Sequence, residues 1–172
     1  MVKYIAIALS LAALIFSSCG QQMKMVKTDR TDSLAVASVW KQYVKALSAK
    51  NTRTLKKLSL KQVYCQPCAI QANTDYDLVS ADAFIKNMLF NLPKTKLWAS
   101  IRSNKHCILT ERIKNYHPQN LEPNQAETIN LYDVWYVTPA PDKVKGFESQ
   151  RFAFQFVKEQ GQYKFFGLTM VK

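Results

Sequence analysis

The chain has 172 residues, 48% of them hydrophobic, and its 24 lysines and arginines outnumber 12 acidic residues for a formal net charge of +12. That length suits one domain with a real core and leaves little for a second. The basic residues are scattered, as in Lys41, Lys45, Lys50, Arg53, Lys56, Lys57 and Lys61, with no block of like charge and no aromatic-interleaved basic motif, so a nucleic-acid partner is not expected.

At the start, Lys3 precedes an apolar run from Ile5 to Phe16, and the small residues Ser17 and Ser18 lead directly into Cys19. The run falls short of the ~20 residues a helix needs to cross a hydrocarbon core, so it reads as a secretory signal rather than a permanent span. Leu14-Ile15-Phe16-Ser17-Ser18-Cys19-Gly20 resembles the lipobox of bacterial lipoprotein signal peptides. The resemblance implies a signal peptide over residues 1–18, palmitate-type acyl chains on Cys19 and a lipidated tether over residues 19–31. An ordinary signal peptide with a nearby cut is the alternative. Acyl chains contribute about 0.8 kcal/mol per buried methylene, enough for several together to hold a folded domain at a membrane without embedding it. In an envelope the positive charge meets phospholipid headgroups, lipopolysaccharide phosphates and acidic glycans, so an anionic envelope surface is the expected counterpart. The acid-poor residues after Cys19 point to the periplasmic side of the outer membrane in a Gram-negative-type cell.

Residues 32–172 read as the single domain. Thr31 or Asp32 can cap a helix whose Val36, Trp40, Tyr43, Val44 and Leu47 recur every three or four positions. Asn51-Thr52 interrupts that stripe and can cap a shorter helix with Leu55 and Leu58, after which Val63-Tyr64-Cys65 has strand character. A polar stretch containing Asn73 to Asp77 leads to Ser80, the expected cap of a third helix with Ala81, Phe84, Ile85, Met88 and Leu92 inward and Pro93 ending it. From Lys96 the period reads as two. Leu97 to Arg102 and His106 to Glu111 form an expected hairpin about Ser103-Asn104-Lys105. A loop with Pro118 and Pro123 precedes a long aromatic strand, Ile129 to Thr138. Pro139 to Gly146 is a charged turn, Phe152, Phe154 and Phe156 alternate inward, and Tyr163 to Val171 is the last strand.

Helices followed by a run of strands predict an α+β fold, with an antiparallel sheet curled around the helices. The opening Trp40/Tyr43/Leu47 helix, the Leu55/Leu58 helix feeding Val63-Tyr64, and the closing Gly161-Gln162-Tyr163-Lys164-Phe165-Phe166 strand together resemble the nuclear transport factor two-like (SnoaL-like, cystatin-like) superfamily. That resemblance implies a cone-shaped α+β domain. It implies no single activity, because the superfold hosts enzymes, binding modules and assembly domains.

Cys65-Gln66-Pro67-Cys68 is the sharpest motif after the lipobox. Its spacing is thioredoxin-like, but its flanks read as supplying no βαβ unit, and no histidine follows Cys68 to accept covalent haem. Outside the cytoplasm a Cys65–Cys68 structural disulfide is the expected use, which leaves Cys107 as the odd thiol if Cys19 is acylated. Cys107 pairing with Cys65 or Cys68 stays open. A zinc site from Cys65, Cys68, His106 and Cys107 has the right ligand types. Neighbours on a strand point to opposite faces, however, so no metal and no cofactor is expected. His117 has no nameable partner.

The resemblance implies that enzymes of the group set an acid or base inside the cone. Asp133, sharing a strand face with Ile129, Leu131, Trp135 and Val137, is the nearest candidate, a carboxylate in apolar surroundings with a raised pKa. A rim aspartate paired with a lysine is the bland alternative. No second titratable group, serine–histidine arrangement, glycine-rich loop or carboxylate pair completes a catalytic set. Trp98, Tyr132, Trp135, Tyr136, Phe154 and Phe166 are core residues or, in a cone of this type, the lining of an apolar cavity. The function expected from these features is a non-enzymatic, membrane-anchored envelope lipoprotein that binds an apolar small molecule or a protein partner. The alternatives are an isomerase or hydrolyase-type enzyme using Asp133, and an inhibitor or immunity-type lipoprotein.

Overall fold

Helix caps set the first boundaries of the structure, a computed structural model that describes residues 29–72, 77–114, 128–139 and 149–171. The lipobox with Cys19, most of the tether, Asn73 to Tyr76, His117 with its proline-bearing loop and most of the turn after Pro139 lie outside the described residues. Helix α1 (Arg30–Ser48) is capped by Asp29, whose side chain accepts the Thr31 backbone N–H at 2.8 Å. The expected caps Thr31 and Asp32 therefore sit in the first turn of the helix. Val36, Trp40, Tyr43, Ala46 and Leu47 form its buried stripe. Asn51 caps α2 (Thr52–Leu58) by accepting the Thr54 N–H at 3.0 Å.

Strand β1 spans Ser59–Cys65, and helix α3 (Gln66–Ala72) follows it without a gap. The Cys65-to-Cys68 motif thus spans a strand-to-helix junction, but the next strand, Leu78–Ser80, runs antiparallel to β1, so the flanks supply no parallel βαβ unit. Pro67 occupies the second helical position, where its fixed φ suits a helix start and its missing N–H costs nothing. Strand β2 (Leu78–Ser80) runs antiparallel to β1. The Ser80 hydroxyl accepts the Ala83 N–H at 3.2 Å and starts α4 (Ala81–Asn91), which buries Ala81, Phe84, Ile85 and Met88. A 3-10 turn, Leu92–Lys94, ends it at Pro93.

The largest correction concerns Leu97 to Arg102, expected as a strand. It is helix α5 (Lys96–Arg102). Thr95 accepts the Trp98 N–H at 3.2 Å as its cap, and Leu97 and Ile101, four apart, are its buried positions. Strand β3 (Cys107–Lys114) has a different partner from the one expected: it pairs with β4 (Thr128–Pro139), from Cys107 opposite Trp135 to Lys114 opposite Thr128. Strands β5 (Ser149–Glu159) and β6 (Gln162–Val171) complete the sheet. Their tight turn uses Gln160 and Gly161, both left-handed at φ 47° and 78°, as a two-residue hairpin demands.

The six strands lie in the order β2-β1-β6-β5-β4-β3. The fold is α+β as expected, but the sheet is mixed rather than antiparallel, because β1 runs parallel to β6. Parallel neighbours require a long connection, and all the chain between these two strands supplies it. The contact is close: a Cβ at Gly167 would sit 2.8 Å from both Cβ and O of Tyr64. Helix α1 packs on one side of the sheet, with the Trp40 ring 4.6 Å from Phe154 and the Tyr43 ring 5.0 Å from Phe165. Phe84 of α4 reaches the same ring at 5.0 Å. Fully buried rings of this size each contribute about 1.5–3 kcal/mol of hydrophobic stabilisation, the main cohesion between helices and sheet. Among the described residues no helix is long and apolar enough to cross a membrane.

Candidate functional site

Where α4 turns into α5, the two helices stand off the ends of β4 and β5 and leave a groove of about 430 Å³. Met88, Leu92, Leu97 and Leu168 supply apolar walls, with Pro67 of α3 and Phe152 of β5 beside them. The polar lining comes from Asn87, Asn91, Thr95, Lys96, Thr138 and Gln150. Asn91 donates to Asn87 at 3.1 Å, so one amide pair faces the groove already linked. Pro93 creates the opening by stopping α4, and the Thr95 cap restarts the chain as α5. A volume of this order fits a small apolar molecule with a few hydrogen-bonding groups.

The aromatic residues named from the sequence lie elsewhere. Tyr136 and Phe154 are buried against Trp40, whose indole N–H donates to the Tyr136 hydroxyl at 2.8 Å. Burial is the first cause that pushes the Tyr136 phenol up to about 12, against the opposing bond from Trp40. The His106 Nδ1 lies 3.4 Å from that hydroxyl, and half-burial lowers the His106 pKa and favours a neutral ring. Phe166 is buried with its ring 5.3 Å from Tyr64. Trp98, on α5, packs half-buried against the core edge.

Tyr132 belongs to a cluster at the far end of the sheet, which the sequence reading missed. Its hydroxyl donates to Asp32 Oδ2 at 2.8 Å, and Tyr163 donates to the other carboxylate oxygen. The two rings meet edge to face at 5.1 Å. The Tyr163 bond first, then that from Tyr132, holds the Asp32 carboxyl below its ordinary value, while burial raises both phenols. The cluster pins the start of α1 to β4 and β6. It is separated from the groove by the six residue steps from Tyr132 to Thr138, or about 20 Å of strand.

Asp133 follows Tyr132 on β4 and so points to the opposite side of the sheet, away from the helices and the groove. It is 1% exposed and accepts from Gln155 Nε2 at 3.1 Å. Desolvation is the dominant cause that raises its pKa to about 7; the Gln155 bond opposes, and the Glu111 charge adds. Trp135 shares that side, 8% exposed. Its indole N–H falls short of a hydrogen bond, though it lies near enough to Asp133 to favour the charged form slightly. A buried carboxyl held by an amide on this side of the sheet cannot reach a substrate in the groove.

Cys65 and Cys68 are joined in a disulfide, and the Cys68 N–H donates to Cys65 Sγ at 3.2 Å. Cys65 is 2% exposed, which shields it from an external thiol. Among the described residues no cysteine is free, so Cys107 is not the odd thiol expected. Among the described residues no group of three His, Cys, Asp or Glu side chains could hold a metal ion. Neither protein-family models nor curated proteins give a match to this chain. The groove is legible only once α5 is known to be a helix, and the signal for that was Thr95 standing immediately before Lys96-Leu97-Trp98.

Proposed function

We propose that the chain is a lipid-anchored envelope protein whose domain, of the nuclear transport factor two-like kind, binds an apolar small molecule without transforming it. The observation that carries the reading is the groove under α4 and α5, apolar in its walls and amide-lined, with Asp133 facing away from it. The β2-β1-β6-β5-β4-β3 order, with helices packed on one side, supports the domain assignment. The lipobox residues before Cys19 support the anchor, and the acid-poor residues after it the periplasmic face of an outer membrane.

Three measurements test this. Labelled palmitate should enter the wild-type chain and not a Cys19→Ala variant. The full chain purified from its own envelope should retain a small molecule in native mass spectrometry and bind a fluorescent fatty acid. An Asn91→Trp substitution, which fills the groove from its half-exposed rim, should lower that affinity at least about tenfold, the cost of losing a few apolar contacts. An apo mass together with no fatty-acid binding overturns the reading.

A further inference from the structure

A second face of α4 carries a different chemistry. Asp82, Lys86 and Phe90 fall four residues apart and form one line along the helix, away from the Met88 side. Phe90 is 68% exposed, although an aromatic ring of that size gains by leaving water. The Lys94 ammonium lies 3.7 Å from its ring centroid. Lys50, Lys56 and Thr52 from α2 and its preceding turn face this line across a shallow depression of about 560 Å³, whose apolar lining includes Ile85 and Leu89. The one acid lining it, Asp82, is paired with Lys56 at 2.8 Å. Lys50, Lys86 and Lys94 have no ion-pair partner among the described residues.

We infer that this α2/α4 face docks on an anionic phospholipid bilayer, with Phe90 entering the interface and Lys50, Lys86 and Lys94 meeting headgroup phosphates. Lysines surrounding an exposed aromatic match the two zones of such a surface, charge outside and apolar phase beneath. A soluble polyanion satisfies the lysines but offers Phe90 nothing. The net charge of +12 adds long-range attraction to the same surface. The inference uses a different side of α4 from the groove and stands whether or not the groove binds a ligand.

Hydrogen exchange on the full chain tests it, with vesicles of phosphatidylcholine alone or with roughly a third phosphatidylglycerol. Amides of residues 50–57 and 82–94 should exchange several-fold more slowly on the anionic vesicles only, and added salt should erase the difference. Phe90→Ser should weaken that protection roughly tenfold in lipid concentration. Joint Lys50→Glu, Lys86→Glu and Lys94→Glu substitution should abolish it, with thermal melting as the check that these exposed changes leave the fold intact. Equal protection on neutral vesicles, protection by heparin but not by anionic vesicles, or protection surviving both variants overturns the proposal. A chain that attaches to both vesicles while this face stays unprotected also overturns it, and leaves the lipid anchor and the groove untouched.

Discussion

Asp32 and Asp133 pull the stability of this chain in opposite directions as pH changes. The folded pKa of Asp32 is depressed below 3.8, chiefly by the Tyr163 and Tyr132 hydroxyls. Its contribution is therefore present above the unfolded value and lost as pH falls through the folded one. Asp133 is raised from 3.8 to about 7 by burial. Between those values the folded protein keeps a proton that the unfolded chain has released, so stability falls as pH rises through that window and stays low above it. Urea unfolding of the wild type should accordingly weaken between about pH 4 and 7. Asp133→Asn should flatten that limb and exceed the wild type by on the order of 2 kcal/mol at pH 8. An unchanged slope would mean that Asp133 is charged within the fold. Asp32→Asn should lower stability at pH 7, keep the limb above pH 4 and lose the acid dependence below it.

At the level of elements, α5 depends on Thr95. The substitution Thr95→Val keeps the β-branch but removes the oxygen that accepts the Trp98 N–H and donates to the Leu92 carbonyl at 2.7 Å. It should cost about 1 kcal/mol in thermal or denaturant unfolding. A neutral or stabilising result would be the signature of a strand, where Val is the better residue. Helices α1 and α4 were legible because each repeats its apolar positions over enough turns to exclude a period of two, and α2 because Leu55 and Leu58, three apart, cannot share a strand face. In α5, Leu97, Ala99 and Ile101 alternate while Leu97 and Ile101 also stand four apart, so seven residues satisfy both periods. Helix α3 is obscured in the sequence because Cys65-Gln66-Pro67-Cys68 has the spacing of a thiol motif, although Pro67 equally suits a first helical turn.

For the whole molecule, the disulfide is a minor constraint beside the aromatic core. Cys65 and Cys68 close a ring of only four residues, and β1 is independently paired to β2 and β6. Replacing both by alanine should lower the free energy of unfolding by about 2 kcal/mol and leave a cooperative transition. Trp40→Ala, which empties the contact between α1 and the sheet, should cost about 3–5 kcal/mol in the same assay. The sequence by itself determined the α+β class, the buried stripes of three helices and the strand alternation, while the Cys65–Cys68 pairing it favoured was decided by the structure. Tertiary structure alone decided that β1 lies parallel to β6, that β3 pairs with β4, and which side of β4 meets the helices. The physical reason is that strand partners are chosen over long sequence separations. Alternation, moreover, sorts a strand into two sets of side chains without saying which set faces inward. On β4 both sets are apolar, Tyr132, Val134 and Tyr136 against Ile129, Leu131 and Trp135. Only the docking of Trp40 onto the first set sends Asp133 to the other side.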